Sequence, residues 1–248
     1  MKLQKIVLTP DDLIFFLHIP KTAGTSLYKS LEQKFPLESV LKVDDRDLPY
    51  YFNNLRLSDM AHIQFCRQHA SYHYRWNFPK KPKIITMLRN PVNRAYSFYK
   101  HVCSIKHHKL YNQLAANSFD PNYFFKELAR DQITNLQTRM IVGYLNQQGS
   151  LSPEDLLSIA KIRLNQFTFF GLQERYSDSM LLLKHIFGWK FLDTRKINVS
   201  SKKTQTINGE IIEYINEVNQ LDNKLYLYAA KIFDSIINEF KHKLETEH

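Results

Sequence analysis

The segment Leu13-Ile-Phe-Phe-Leu17, followed almost at once by Pro20-Lys-Thr-Ala-Gly24, narrows the fold more than any other feature of the chain. A continuous apolar run without polar alternation suits a strand buried on both faces of a parallel sheet. It is far too short to span a bilayer. The run leads into a turn, and Thr25–Phe35 then reads as a helix. Strand, tight loop and helix follow one another in that order.

The pattern recurs. Lys83-Ile-Ile-Thr-Met-Leu88 is a second buried strand ending at Arg89, and Asn90 with Pro91 supplies a helix N-cap and a first-turn proline. Shorter strands are expected at Ala61–Cys66, Phe167–Gly171 and Ser39–Val43. Asp120-Pro121 and Ser152-Pro153 read as helix starts, and Ser177–Phe187 as a helix closed by Gly188. Asp222–Lys243 carries an apolar face from Leu225 to Phe240, whereas Lys196–Gly209 is polar and aperiodic. No repeat or linker divides the chain, so residues 1–248 are expected to form one domain. Its class is α/β, with a central, mainly parallel sheet and helices on both faces. Ligands of such sheets bind beyond the carboxyl ends of the strands. The residues just past the better strands are Lys21, the His69 region, Arg89 and Gly171, and three of these suit an anion.

Charge points the same way. Lys and Arg outnumber Asp and Glu by 34 to 24, a formal excess of +10 that favours anionic partners. The cations are scattered rather than gathered in a run, which argues against a nucleic-acid arm. Cys66 and Cys103 make neither a disulfide framework nor a zinc pattern, and one bridge between them stays open. No signal peptide or membrane-spanning run is evident, so a cytoplasmic protein is expected.

A strand–loop–helix junction presents free backbone N–H groups at the helix start, where the dipole favours an anion. Gly24 lets the backbone approach a ligand, Thr25 and Ser26 add hydroxyl donors, and Lys21 adds a mobile charge. The loop is not a Walker A, because its lysine precedes its only glycine.

As a whole, His18-Ile-Pro-Lys-Thr-Ala-Gly-Thr-Ser26 resembles the 5′-phosphosulfate loop of carbohydrate sulfotransferases that use 3′-phosphoadenosine 5′-phosphosulfate (PAPS). The likeness is strongest to the heparan sulfate and dermatan/chondroitin 2-O-sulfotransferases and their bacterial relatives. Leu88-Arg-Asn-Pro-Val-Asn-Arg-Ala-Tyr-Ser-Phe-Tyr99 resembles the same family's 3′-phosphate motif, an arginine followed eight residues later by a serine. Asn135–Arg139, Gly171–Arg175 and Asn198–Lys203 are weaker matches that carry the resemblance from Leu13 to Phe233.

The resemblance implies a P-loop-like sulfotransferase fold, PAPS as donor, no metal requirement, and a hydroxyl acceptor on a carbohydrate, with an anionic glycan favoured by charge. It assigns donor binding to Lys21, Thr22, Ala23, Gly24, Thr25 and Ser26 through side chains and through the backbone N–H groups from Ala23 to Ser26. Arg89 and Ser97 would take the 3′-phosphate, and Lys202 would reach over from the polar stretch. Lys21 would also offset charge on the leaving oxygen. His69 is the implied general base, with His62 and His73 as rivals; Gln68 stands where the family often has glycine. His18 is expected to pack or to support the loop, Arg94 to lie on a solvated helix face, and Arg139 and Arg175 to be acceptor-side or structural. Two other readings stay open: a nucleotide kinase or hydrolase with a degenerate P-loop, and an inactive module that binds anionic glycans.

Overall fold

The computed structural model describes residues 3–42, 57–69, 71–72, 78–143, 151–190, 192 and 207–246. Five strands form one sheet: β1 (Ile14–Leu17), β2 (Val40–Lys42), β3 (Phe65–Gln68), β4 (Lys83–Leu88) and β5 (Phe169–Leu172). Their order is β2-β3-β1-β4-β5 and every pairing is parallel. Each residue of β1 and of β5 is buried, which requires cover on both faces of the sheet and accounts for the unbroken apolar runs. Phe15, Phe16, Phe65, Phe169 and Phe170 fill the layers above and below it.

The described α-helices of six residues or more are α1 (Gly24–Glu32), α2 (Pro91–Ser104), α3 (Tyr111–Ala116), α4 (Leu136–Val142), α5 (Pro153–Gln166), α6 (Tyr176–Ile186), α7 (Gly209–Val218) and α8 (Gln220–Thr246). The local signals act as expected. Asn90 accepts a hydrogen bond from the Asn93 N–H at the start of α2, and Ser152 closes a capping box with Asp155 on α5. The expected face of α8 packs through Leu225, Ala229, Phe233, Ile237 and Phe240. No helix among the described residues is long and apolar enough to cross a membrane.

Three details depart from the sequence pattern. β3 begins and ends later than expected, because the N–H groups of Ala61 and Ile63 close turns onto Ser58 and Met60 at 3.2 Å each. The later strand makes His69 the first residue beyond its end. The helix at Asp120-Pro121 is capped as expected but passes after one turn into a π turn at Phe124–Leu128. Helix α7 was not foreseen; Asn208 caps it, and Ile211 and Ile215 bury its short apolar face. Cys66 and Cys103 are both free.

Strand order fixes where a ligand can lie. The chain leaves β1 for β2 on one side of the sheet and leaves β4 for β5 on the other. The crevice between the carboxyl ends of β1 and β4 is therefore a topological switch point. There the Thr86 hydroxyl donates to the Leu17 carbonyl at 2.8 Å, tying the two strands just below the opening.

Candidate functional site

A cavity of ≈ 430 Å³ opens at this crevice, within the range of roughly 300–1,000 Å³ usual for small-molecule sites. Its lining includes Lys21, Ala23, Gly24, Thr25, Ser26, His69, Arg89 and Ser97. A larger cleft of ≈ 940 Å³, between Ile6, Phe78, Ile84 and Phe167, lies at the amino-terminal ends of β4 and β5. That is the wrong end of a parallel sheet for a ligand.

The loop after β1 turns through Lys21 at φ 70° and Ala23 at φ 68°. Left-handed backbone at a residue with a Cβ costs of order 1–3 kcal/mol and persists only where the surroundings hold it. Thr22 supplies part of that hold: its buried hydroxyl donates to the Ile19 carbonyl at 2.8 Å. Thr22 was expected among the donor ligands, but its side chain braces the loop and is not part of the cavity lining.

Helix α1 then begins with Ala23 in the N-cap position and no side-chain cap. The Ser26 N–H donates to the Ala23 carbonyl at 3.1 Å, so it does not join the row of free donors expected from Ala23 to Ser26. Those of Gly24 and Thr25 meet no acceptor among the described residues. Uncapped N–H groups at a helix start, with successive amides curled inward around left-handed residues, suit an anion.

Gly24 answers to a neighbour as well as to a ligand. A Cβ there would lie 2.0 Å from Cδ2 of His18. The His18 ring is buried, stacked on Phe16 at 5.0 Å and tilted over His69 at 4.0 Å between centroids. Burial, then the charges of His69, Arg67 and Lys21, hold His18 well below the usual histidine range, so it packs as a neutral ring. Gly24→Ala is expected to destabilise the fold by about 1–3 kcal/mol through overpacking. Chemical denaturation reads this as a lower midpoint, and His18→Ala in the same chain should cancel part of the loss by removing the clashing ring.

His69 Nδ1 lies 2.9 Å from the His18 carbonyl oxygen. A carbonyl only accepts, so Nδ1 carries a proton, and the neutral tautomer with this bond has its lone pair on Nε2. His62 sits in an exposed turn before β3 and does not line the cavity. His73 and Lys202 lie outside the described residues.

Arg89 crosses the crevice. Its Nη1 donates to the Lys21 carbonyl at 3.1 Å, while its buried Nε has no partner among the described residues. Ser97 follows two turns along α2 and lines the same cavity. Arg94, expected on a solvated face, is instead fully buried: Nη2 donates to the carbonyl of Ile133 at 3.0 Å, and the side chain reaches the cavity wall. Those carbonyl partners come from a segment far along the chain, so spacing within α2 could not reveal them.

Burial, then the charges of Arg89 and Lys100, brings the Lys21 amine down to about 8. Burial lowers Arg89 as well, against the opposing pull of Glu174, and brings Arg94 down to about 10. The described lining holds no carboxylate. Cations held against burial and mutual repulsion, with no acid among them, gain most from an incoming anion.

Sequence reasoning missed other members of the wall. His101 stands one turn past Ser97, a spacing that would have placed it on the same face; burial, then Lys21, His108 and His107, pushes it down to about 4. His108 and Gln173 also line the cavity. Gly171 lies inside β5, where a Cβ would meet Met87 at 2.5 Å, and Gln173 takes the strand-end place expected of it. Arg175 is structural, bridging Asp178 at 2.7 Å and Asp234 at 2.6 Å, and Arg139 donates to the Asp131 carbonyl.

Comparison with known proteins bears on this arrangement. A family model described as Sulfotransferase domain matches residues 20–145, just over half of the chain. Heparan-sulfate 6-O-sulfotransferase 1 of Cricetulus griseus is 28% identical over 284 residues, covering 95% of this chain and 70% of its own. The Homo sapiens protein of the same name is also 28% identical, covering 95% of this chain and 68% of its own. A sulfotransferase from Alicyclobacillus acidocaldarius superposes with a TM-score of 0.42 at 17% identity, over 87% of this chain and 93% of that one. The carbohydrate sulfotransferase resemblance holds, with these relatives named for the 6-O rather than the 2-O position. Matched from Pro20 through the anion loop, His69 and the Arg89–Ser97 unit, the chain belongs to the sulfotransferase domain family.

Proposed function

We propose that this chain transfers a sulfuryl group from PAPS to a carbohydrate hydroxyl by in-line displacement, with Lys21 and His69 at the reacting centre. The observation that carries the reading is the hydrogen bond from Arg89 to the Lys21 carbonyl. It couples two anion-handling units across the switch point, as a donor with phosphate at both its 5′ and 3′ positions requires.

The free N–H groups of Gly24 and Thr25, with Lys21, suit the 5′-phosphosulfate. Arg89, through its unpartnered Nε, and Ser97 suit the 3′-phosphate, where a guanidinium can fork two hydrogen bonds. In the transfer the acceptor oxygen bonds to sulfur as the bond from sulfur to the bridging phosphate oxygen breaks. The hydroxyl proton passes to Nε2 of His69. The electron pair leaves on the phosphate of 3′-phosphoadenosine 5′-phosphate (PAP), where the Lys21 cation offsets it. Relatives named for heparan sulfate and the excess of +10 both support a glycan acceptor, an anionic one in particular.

Titration calorimetry with PAP tests the donor half. PAP should bind below pH 8 and weaken as pH rises through about 8, by at most about tenfold per pH unit for a single proton. The sign follows from Lys21, whose charged form holds the anion and is lost above its lowered pKa. Absence of binding at any pH would remove PAPS as the donor.

A further inference from the structure

We infer that Gln137, which does not line the cavity, is a positioning residue that aims Arg89 at the donor's 3′-phosphate. The inference rests on the donor reading above and extends it to a residue outside the two phosphate motifs.

Arg89 stands one residue past the end of β4, where the sheet no longer supplies partners for its backbone. The Gln137 amide takes over both roles. Its Oε1 accepts from the Arg89 N–H at 3.0 Å, and its Nε2 donates to the Arg89 carbonyl at 2.8 Å. This pair of bonds imitates one more rung of strand pairing. It fixes the backbone of Arg89, and with it the direction in which the guanidinium leaves the chain.

The amide is itself held. Gln137 is 1% exposed, and its own N–H donates to Asp222 Oδ2 at 3.0 Å. The next residue's N–H, that of Thr138, donates to Asp222 Oδ1 at 2.7 Å. Asp222 is fully buried at the start of α8, so a carboxylate sits on the amino-terminal turn of α4. At the other end, Arg163 of α5 donates to the carbonyls of Ile141, at 3.1 Å, and of Val142. An anion at the first turn and a cation at the last complement the helix dipole. A seven-residue helix does not hold itself in water, so these clamps define where α4 lies.

Filling this volume with an apolar side chain would avoid burying an amide at all. An amide that satisfies both polar groups of one backbone residue is useful where the orientation of that residue matters. Small misplacements of a binding group are costly at a reacting centre.

The experiment compares the affinities of PAP and adenosine 5′-monophosphate, which lacks the 3′-phosphate, for wild type, Gln137→Met and Gln137→Glu. Binding is measured by calorimetry well below each protein's melting temperature. Gln137→Met keeps the length and removes both hydrogen bonds; Gln137→Glu keeps only the acceptor. The methionine variant should lose about tenfold in PAP affinity and leave adenosine 5′-monophosphate unchanged, so the preference for the 3′-phosphate collapses. The glutamate variant should show the same selective loss to a smaller degree, and it serves alone if the methionine variant does not fold. In an Arg89→Ala background neither change should lower PAP affinity further. Equal losses for both nucleotides, or none, would overturn the positioning role and leave only a structural one. Wild type that does not prefer PAP would sink the donor assignment itself, a result distinct from failure of the Gln137 role alone.

Discussion

Lys21→Ala is expected to lower kcat by about 10²–10³-fold, the usual cost of removing one preorganised group that meets developing charge. The amine sits on a left-handed residue at φ 70°, half a turn before an uncapped helix start, with the Arg89 guanidinium held on its own carbonyl. Burial and neighbouring cations already press it towards neutrality, which makes it responsive to negative charge arriving on the leaving phosphate. Lys21→Arg should not restore the rate. A planar, forked guanidinium replaces a compact point charge, and the loop that carries it is fixed by Thr22 and Ile19. Steady-state turnover with saturating donor decides the matter, and a kcat within tenfold of wild type would exclude Lys21 from the transition state.

His69→Asn is expected to cost about 10²–10⁴-fold in kcat, the range for loss of a general base, while PAP affinity stays close to wild type. Asparagine is the informative replacement because its amide can still donate to the His18 carbonyl, as Nδ1 does now at 2.9 Å. It lacks any counterpart of Nε2. If bracing the loop after β1 were the whole role of His69, the asparagine variant would keep most of its activity and the alanine variant would lose it. If Nε2 takes the acceptor proton, both variants fail alike. Single-turnover rates with preformed donor complex separate this from any effect on binding.

The parts of this site that the sequence made legible are those that stand directly at strand ends. Lys21, His69 and Arg89 each follow a strand, and parallel sheets gather such positions at one edge. Local chemistry was equally readable where cap and helix are contiguous, as at Asn90-Pro91 and Ser152-Pro153. What stayed hidden depends on which partner a side chain turns to, near or far along the chain. Arg94 reads as a surface residue until Gln132 and Ile133 bring carbonyls to it. Thr22 reads as a ligand until its hydroxyl is seen turned onto Ile19. Gln137 and Asp222 meet across 85 positions, a separation for which hydrophobic periodicity carries no signal. Gly24 was legible as a glycine needing space, but the His18 ring that occupies the space was not.

The most direct test of the account is transfer of radiolabelled sulfur from PAPS by the purified wild-type chain, with heparan sulfate and other glycans offered beside phenols and lipids. The account predicts label in a glycan, PAP released in equal amount, and loss of both in Lys21→Ala and His69→Asn. Label that stays on the nucleotide with every acceptor, or that moves equally well in both variants, would contradict it.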